Sequence, residues 1–241
     1  MFAWMLCVTV TISAARYLKQ FWPKTTPAGL RIWFHIHRNV NIFAIVLMLL
    51  GLAFIFLGKG IVWKGPWFGK PAAKNLSAGA WHSLFGAISL FLAFIQPFVS
   101  LTRGSPQSKN RPIFNWTHRI IGLTGLLLAV ITVLITVIKF KVWSSRYWAI
   151  FLFTFYLLVL VAFVALAELL KYKKQRESLP PAIAMGTKTS YQSDEPLQEA
   201  EHHLVTQDDS LTLKLSVIAL ILALVFTIGL SIDILVSWPP K

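Results

Sequence analysis

The sequence predicts an all-α, multi-pass membrane protein with six transmembrane helices. Three observations carry that prediction. The chain has 241 residues of which 56% are hydrophobic and only 13% charged, where a soluble domain carries about 25% charged residues. Its apolar residues are gathered into long blocks. Its basic residues fall in the short stretches between those blocks.

Six apolar segments follow one another at residues 1–17, 40–57, 78–101, 116–138, 148–170 and 211–236. A bilayer core needs about 20 apolar residues to cross, and a backbone in lipid must satisfy its own hydrogen bonds, so these segments are expected as helices. The first is short, because Arg16 interrupts it. It has neither the basic start nor the small-residue cleavage site of a signal peptide. It is read as a span whose outer end is cut off, in a fragment or shortened isoform. Residues 171–210 are polar, with Pro180-Pro181, Gly186 and a run of acids from Asp194; they are expected as a disordered cytoplasmic linker. The organisation is thus a membrane core at 1–170 with a truncated first helix, a linker at 171–210 and a C-terminal membrane helix at 211–241. Asp233, near the end of the last segment, is expected to reach water.

The formal net charge is +14. Fifteen of the 23 lysines and arginines lie after segments one, three and five, and this bias places those loops in the cytoplasm and the amino end outside or in a lumen. The basic excess is therefore read as membrane topology, not as nucleic-acid binding. The sequon Asn75-Leu76-Ser77 falls on the outer side, where glycosylation is expected to be available; Asn115-Trp116-Thr117 falls inside, where it would go unused. The single cysteine, Cys7, permits no disulfide within the chain and leaves the redox compartment open.

Six histidines are present. His202 and His203 sit in the acidic linker and are expected to be solvated. His82 and His118 stand near the starts of segments three and four, each in a His-x-x-x-Gly pattern with Gly86 and Gly122. Residues four apart share a helical face, so each glycine leaves room beside its histidine, either for a flat macrocycle or for close helix packing. His35 and His37 precede segment two and are two apart, so at most one faces a given bundle interior; spacing does not choose between them. Segments two and four both begin on the cytoplasmic side. His118 and one of His35 and His37 therefore lie at matched depth, where two facing imidazoles would fill both axial positions of a haem iron. His82 lies near the opposite surface with no histidine partner on the other segments. No cysteine or carboxylate accompanies the trio at zinc-ligand spacing. The broken helices and repeats of a transporter are also missing.

Several short motifs run in order through residues 1–170. They are Met1-Phe2-Ala3-Trp4, Ala15-Arg16-Tyr17-Leu18-Lys19, Trp33-Phe34-x-x-His37-Arg38, His82-x-x-x-Gly86, and Arg111-Pro112 followed by Asn115-Trp116-x-His118-x-x-x-Gly122. Together they resemble the cytochrome b561 family in the form joined to an extracellular DOMON domain. The resemblance implies a four-helix haem-binding core with two b haems, each held by two histidines. It favours His37 over His35, because the family's Trp-Phe-x-x-His-Arg register falls on His37. It assigns His37 and His118 to the inner haem and His82 to the outer one. The family's second outer ligand, a His-Gly just before the motif at Met1, is absent from this sequence, as is the DOMON part, so the inner haem is the one expected here. The resemblance also implies an oxidoreductase that carries electrons from cytoplasmic ascorbate to a ferric chelate outside. Arg16, Lys19, Arg38 and Arg119 then serve as partners for haem propionates or as attractors of the ascorbate anion, or else only as positive-inside anchors. The lipid bilayer is the surrounding partner, a homodimer is a further expected assembly, and the location is the plasma membrane or an endomembrane vesicle. The alternative expectation is a catalytically incomplete short isoform that acts as a membrane interaction or regulatory protein.

Overall fold

The computed structural model describes residues 1–19, 21, 26–105, 107–177 and 195–237, with backbone alone at 177 and 195–209. Among the described residues every regular element is helical. Six helices carry the fold: α1 (Phe2–Tyr17), α2 (Ile32–Lys59), α3 (Ala78–Leu101), α4 (Arg111–Lys139), α5 (Arg146–Glu177) and α6 (Glu195–Val236). Five of them are long and apolar enough to cross a membrane, α6 through its Ser210–Val236 portion; α1 is shorter.

Local chemistry sets several helix ends. Gly60 stops α2 with φ of 72°, a backbone state that glycine adopts without steric cost, and its N–H closes back onto the Phe56 carbonyl. Ser77 caps α3 by accepting from the Ala80 N–H, which satisfies one of the free donors of the first turn. Pro112 sits in the first turn of α4, where a missing N–H costs nothing. Pro97 lies inside α3, where it removes one backbone hydrogen bond.

The helices pack mainly as three pairs, α1 with α2, α3 with α4, and α5 with α6. The short α1 is the pivot. It buries Ala3, Met5, Cys7, Thr9, Thr11, Ser13, Ala14 and Tyr17, and one apolar cluster joins it to α4, α5 and α6 through Met5, Val137, Phe153 and Leu230. A second cluster joins it to α2 through Ala3, Cys7, Ala44 and Met48, with Leu90, Ala93 and Phe94 of α3 packed against it. Its first turns are π-helical over Phe2–Cys7, and the Met5 carbonyl accepts from both the Thr9 hydroxyl and Tyr156 of α5.

The stretch 171–210, expected to be a linker, is helical at both ends. α5 continues to Glu177 and α6 begins at Glu195. The acids near the start of α6 suit the positive end of a helix dipole. The middle of that stretch, 178–194, lies outside the described residues, as do the side chains of His202 and His203. Asp233 does not simply reach water: one carboxylate oxygen accepts from Ser144, and the other is buried without a partner. Asn75 is also committed. Its carbonyl accepts from the Trp67 N–H and its amide donates to the Trp67 carbonyl, both at 3.0 Å, so a glycan on that nitrogen would compete with this clasp.

Candidate functional site

α2 and α4 each bring one histidine to the same end of the bundle. The rings of His37 and His118 meet edge to face, with centroids 6.1 Å apart and planes 63° apart. His37 is fixed from α1: its Nδ1 lies 3.0 Å from the Thr11 carbonyl oxygen. A carbonyl only accepts, so Nδ1 carries the proton and Nε2 keeps its lone pair. His118 is backed by Phe114, stacked at 5.6 Å with planes 21° apart. His35 turns elsewhere. Its Nε2 bonds the Pro27 carbonyl at 2.8 Å, and its Nδ1 lies 3.4 Å from Arg38. The structure thus separates the two residues that sequence spacing could not.

The two imidazoles are close enough that both would be within reach of one metal ion held near them. The surroundings contain polar atoms in want of partners. His118 Nδ1, Gln96 Oε1 and Trp33 Nε1 are all buried without a hydrogen bond, a state that costs about 1–3 kcal/mol per group. Propionates of a bound haem would offer acceptors to Trp33 Nε1–H and to a protonated His118 Nδ1; the Gln96 carbonyl oxygen would still need a donor.

His82 lies at the far end of α4 from this pair. Its Nδ1 is 3.0 Å from the Thr136 hydroxyl and 3.2 Å from the Thr132 carbonyl, and its ring packs at 4.9 Å on Phe140. From His118 to Thr132 the helix rises roughly 20 Å. No second histidine stands at that end among the described residues.

The two glycines face neighbours. A Cβ on Gly86 would meet Thr132 at 3.5 Å, and one on Gly122 would meet the amide nitrogen of Gln96 at 3.1 Å. Gln96 itself donates to the His118 carbonyl at 3.1 Å. Both glycines therefore serve contact between α3 and α4.

The cations divide into two kinds. Arg16 grips Glu168 of α5 with two bonds, at 2.6 and 2.9 Å, and Tyr17 adds a third at 2.9 Å; this arginine is committed to a helix clamp. Lys19, Arg38 and Arg119 lie over Trp33, Phe34 and Trp116 at 4.7, 5.8 and 6.0 Å, as does Arg103 over Phe34 at 4.7 Å. Partial burial, then Arg119, Lys171, Arg103 and Arg16, hold the Lys19 ammonium below its usual range. Partial burial, then Arg111, does the same to the Arg103 guanidinium. No acid precedes Glu168 in the chain, so the face beside His37 and His118 stays strongly positive.

Sequence reasoning missed Thr11, Asn41, Gln96, Phe114, Arg103 and Glu168. Only Asn41 and Gln96 left a signal, as amides inside apolar segments. Because the Arg16–Glu168 pair is well exposed, at 44% and 37%, Glu168→Gln is expected to lower stability by under about 1 kcal/mol, read from unfolding in mixed micelles.

The sequence pattern of the eukaryotic cytochrome b561 family matches residues 7–145, more than half of the chain. The chain belongs to this family. A cytochrome b561 is a transmembrane haem protein of electron transfer, and the helices here are those of a multi-pass integral membrane member. Among curated proteins, it is 32% identical over 128 residues to Xenopus laevis "Putative ferric-chelate reductase 1", covering 53% of this chain and 20% of that one. It is 30% identical over 128 residues to Homo sapiens "Ferric-chelate reductase 1", covering 53% and 19%. It is 31% identical over 137 residues to a Drosophila melanogaster homolog of that name, covering 56% and 18%. The match thus spans about a fifth of the length of these curated relatives. No solved structure matches.

Proposed function

We propose that this cytochrome b561 holds one b haem between His37 and His118 near the cytoplasmic face and passes electrons from ascorbate toward a ferric chelate on the other side. The 6.1 Å separation of the two rings carries the reading. A b haem held by His37 and His118 would supply one-electron transfer.

The chain's own residues do the rest. Thr11 orients His37, and Phe114 braces His118. Lys19, Arg38, Arg103 and Arg119 give the inner face a charge that draws an anionic donor such as ascorbate and pairs with propionates. The acceptor class comes from the relatives' name, ferric-chelate reductase. In this reading electrons leave at the far end of α4, where His82 of α3 packs on Phe140.

The test uses haem-loaded protein in sealed vesicles with ascorbate trapped inside and a ferric chelate outside. Ferrous iron is expected to appear outside at a rate that scales with protein. If haem-loaded vesicles reduce no chelate with ascorbate on either side, the donor and acceptor assignment is wrong.

A further inference from the structure

Each of the three membrane histidines shares its helical face with the residue four positions on. That residue is Gly86 after His82 and Gly122 after His118, but Asn41 after His37. Asn41 closes a ring of polar contacts around the histidine. Its amide nitrogen donates to the His37 carbonyl at 2.8 Å and lies 3.4 Å from His37 Nε2. Its oxygen accepts at 3.2 Å from the Thr11 hydroxyl, whose proton is shared with the Val8 carbonyl at 2.9 Å. The Thr11 carbonyl in turn receives His37 Nδ1–H. Thr11 is 1% exposed, so these bonds act in a medium of low dielectric, where they are stronger than in water.

We propose that Asn41 is a positioning residue for His37: with Thr11 it fixes the orientation and tautomer of the ring and sets the one-electron potential of the haem that ring holds. The inference rests on the His37–His118 reading given above. Two consequences follow from the geometry. The Thr11–Asn41 contact ties α1 to α2 beside the ligand, so the ring is held from two helices. With Nε2 bonded to iron the Asn41 N–H would no longer bond that lone pair, but its positive end, 3.4 Å from Nε2, would still favour the state with one more electron. Hydrogen bonds around a ligand are among the levers that tune such potentials.

The experiment is spectroelectrochemistry on the haem-loaded full chain in nanodiscs. Asn41→Leu keeps roughly the side-chain volume and removes both donors. Its inner haem is expected to remain six-coordinate and to become harder to reduce by about tenfold in equilibrium constant, about 59 mV for one electron. The low-spin electron paramagnetic resonance signal is expected to shift with the freed ring. Asn41→Gln, which keeps an amide, recovers part of the change. Thr11→Val keeps the carbonyl and loses the hydroxyl, and is expected to shift the potential the same way by less. If Asn41→Leu fails to fold, Thr11→Val decides. An unchanged potential and resonance signal in haem-loaded Leu or Val variants overturns the inference while leaving the function reading intact. A wild-type chain that takes up no haem overturns that reading and this one together.

Discussion

Replacing His118 by alanine is expected to remove the sharp reduced-minus-oxidised haem band from the purified protein, and replacing His37 to do the same. The expected loss is more than tenfold in bound haem per chain, measured by pyridine extraction and by the difference spectrum. In the proposed reading both rings would hold the haem, and no other described histidine is placed to stand in. His35 is turned to the Pro27 carbonyl, and His82 of α3 packs beside α4 roughly 20 Å from His118. His35→Ala and His82→Ala are therefore expected to keep the band. The comparison separates a ligand from a general loss of folding, because all four variants remove an imidazole from a helix. A band that survives both His37→Ala and His118→Ala means that these rings do not hold iron. A wild-type protein with no band at all favours an interaction role for the chain, as in the short-isoform expectation.

The helices were legible because lipid imposes one rule on the backbone, and blocks of apolar residues announce it. The matched depth of His37 and His118 followed from counting crossings. The resemblance preferred His37 over His35, and the structure shows the physical reason: the Thr11 carbonyl waits for one ring and the Pro27 carbonyl takes the other. What stayed hidden depends on partners far away in sequence. Thr11 is an ordinary small polar residue until α1 lies against α2. Arg16 reads as a free cation until α5 brings Glu168 to it. The burial of the short α1 against the other helices was also illegible, because it depends on what they set against it. A periodicity shows which residues share a face and says nothing of what the next helix sets against that face.

The glycines show the limit most sharply, and they give the second large effect. Gly86 and Gly122 drew notice because each stands four residues after a histidine. The tighter approach is at Gly125, which no histidine pattern marks. A Cβ there would meet Leu92 Cβ at 3.3 Å, the Ser89 carbonyl at 3.7 Å and the Trp4 ring at 3.9 Å. Three helices converge on that point, and two of the neighbours are backbone or near-backbone atoms that cannot swing aside. Small residues let membrane helices close to this distance, and the packing gained there replaces the hydrophobic drive that lipid does not supply. Gly125→Leu is expected to force α3 from α4, at a cost of about 1–3 kcal/mol for overpacking with the lost helix contact added. Because α3 also carries the Gln96 amide to the His118 carbonyl, the same variant is expected to lose haem. Gly86→Ala meets only an ordinary contact with Thr132, and Gly122→Ala meets the movable end of Gln96; both are expected to unfold within about 1 kcal/mol of wild type. The measurement is denaturant unfolding in mixed micelles with haem absorbance followed in parallel. Equal stability and equal haem in Gly125→Leu and Gly86→Ala would show that α3 and α4 are not held at this distance, and that the inner pair of rings owes its spacing to something other than the close seam between these helices.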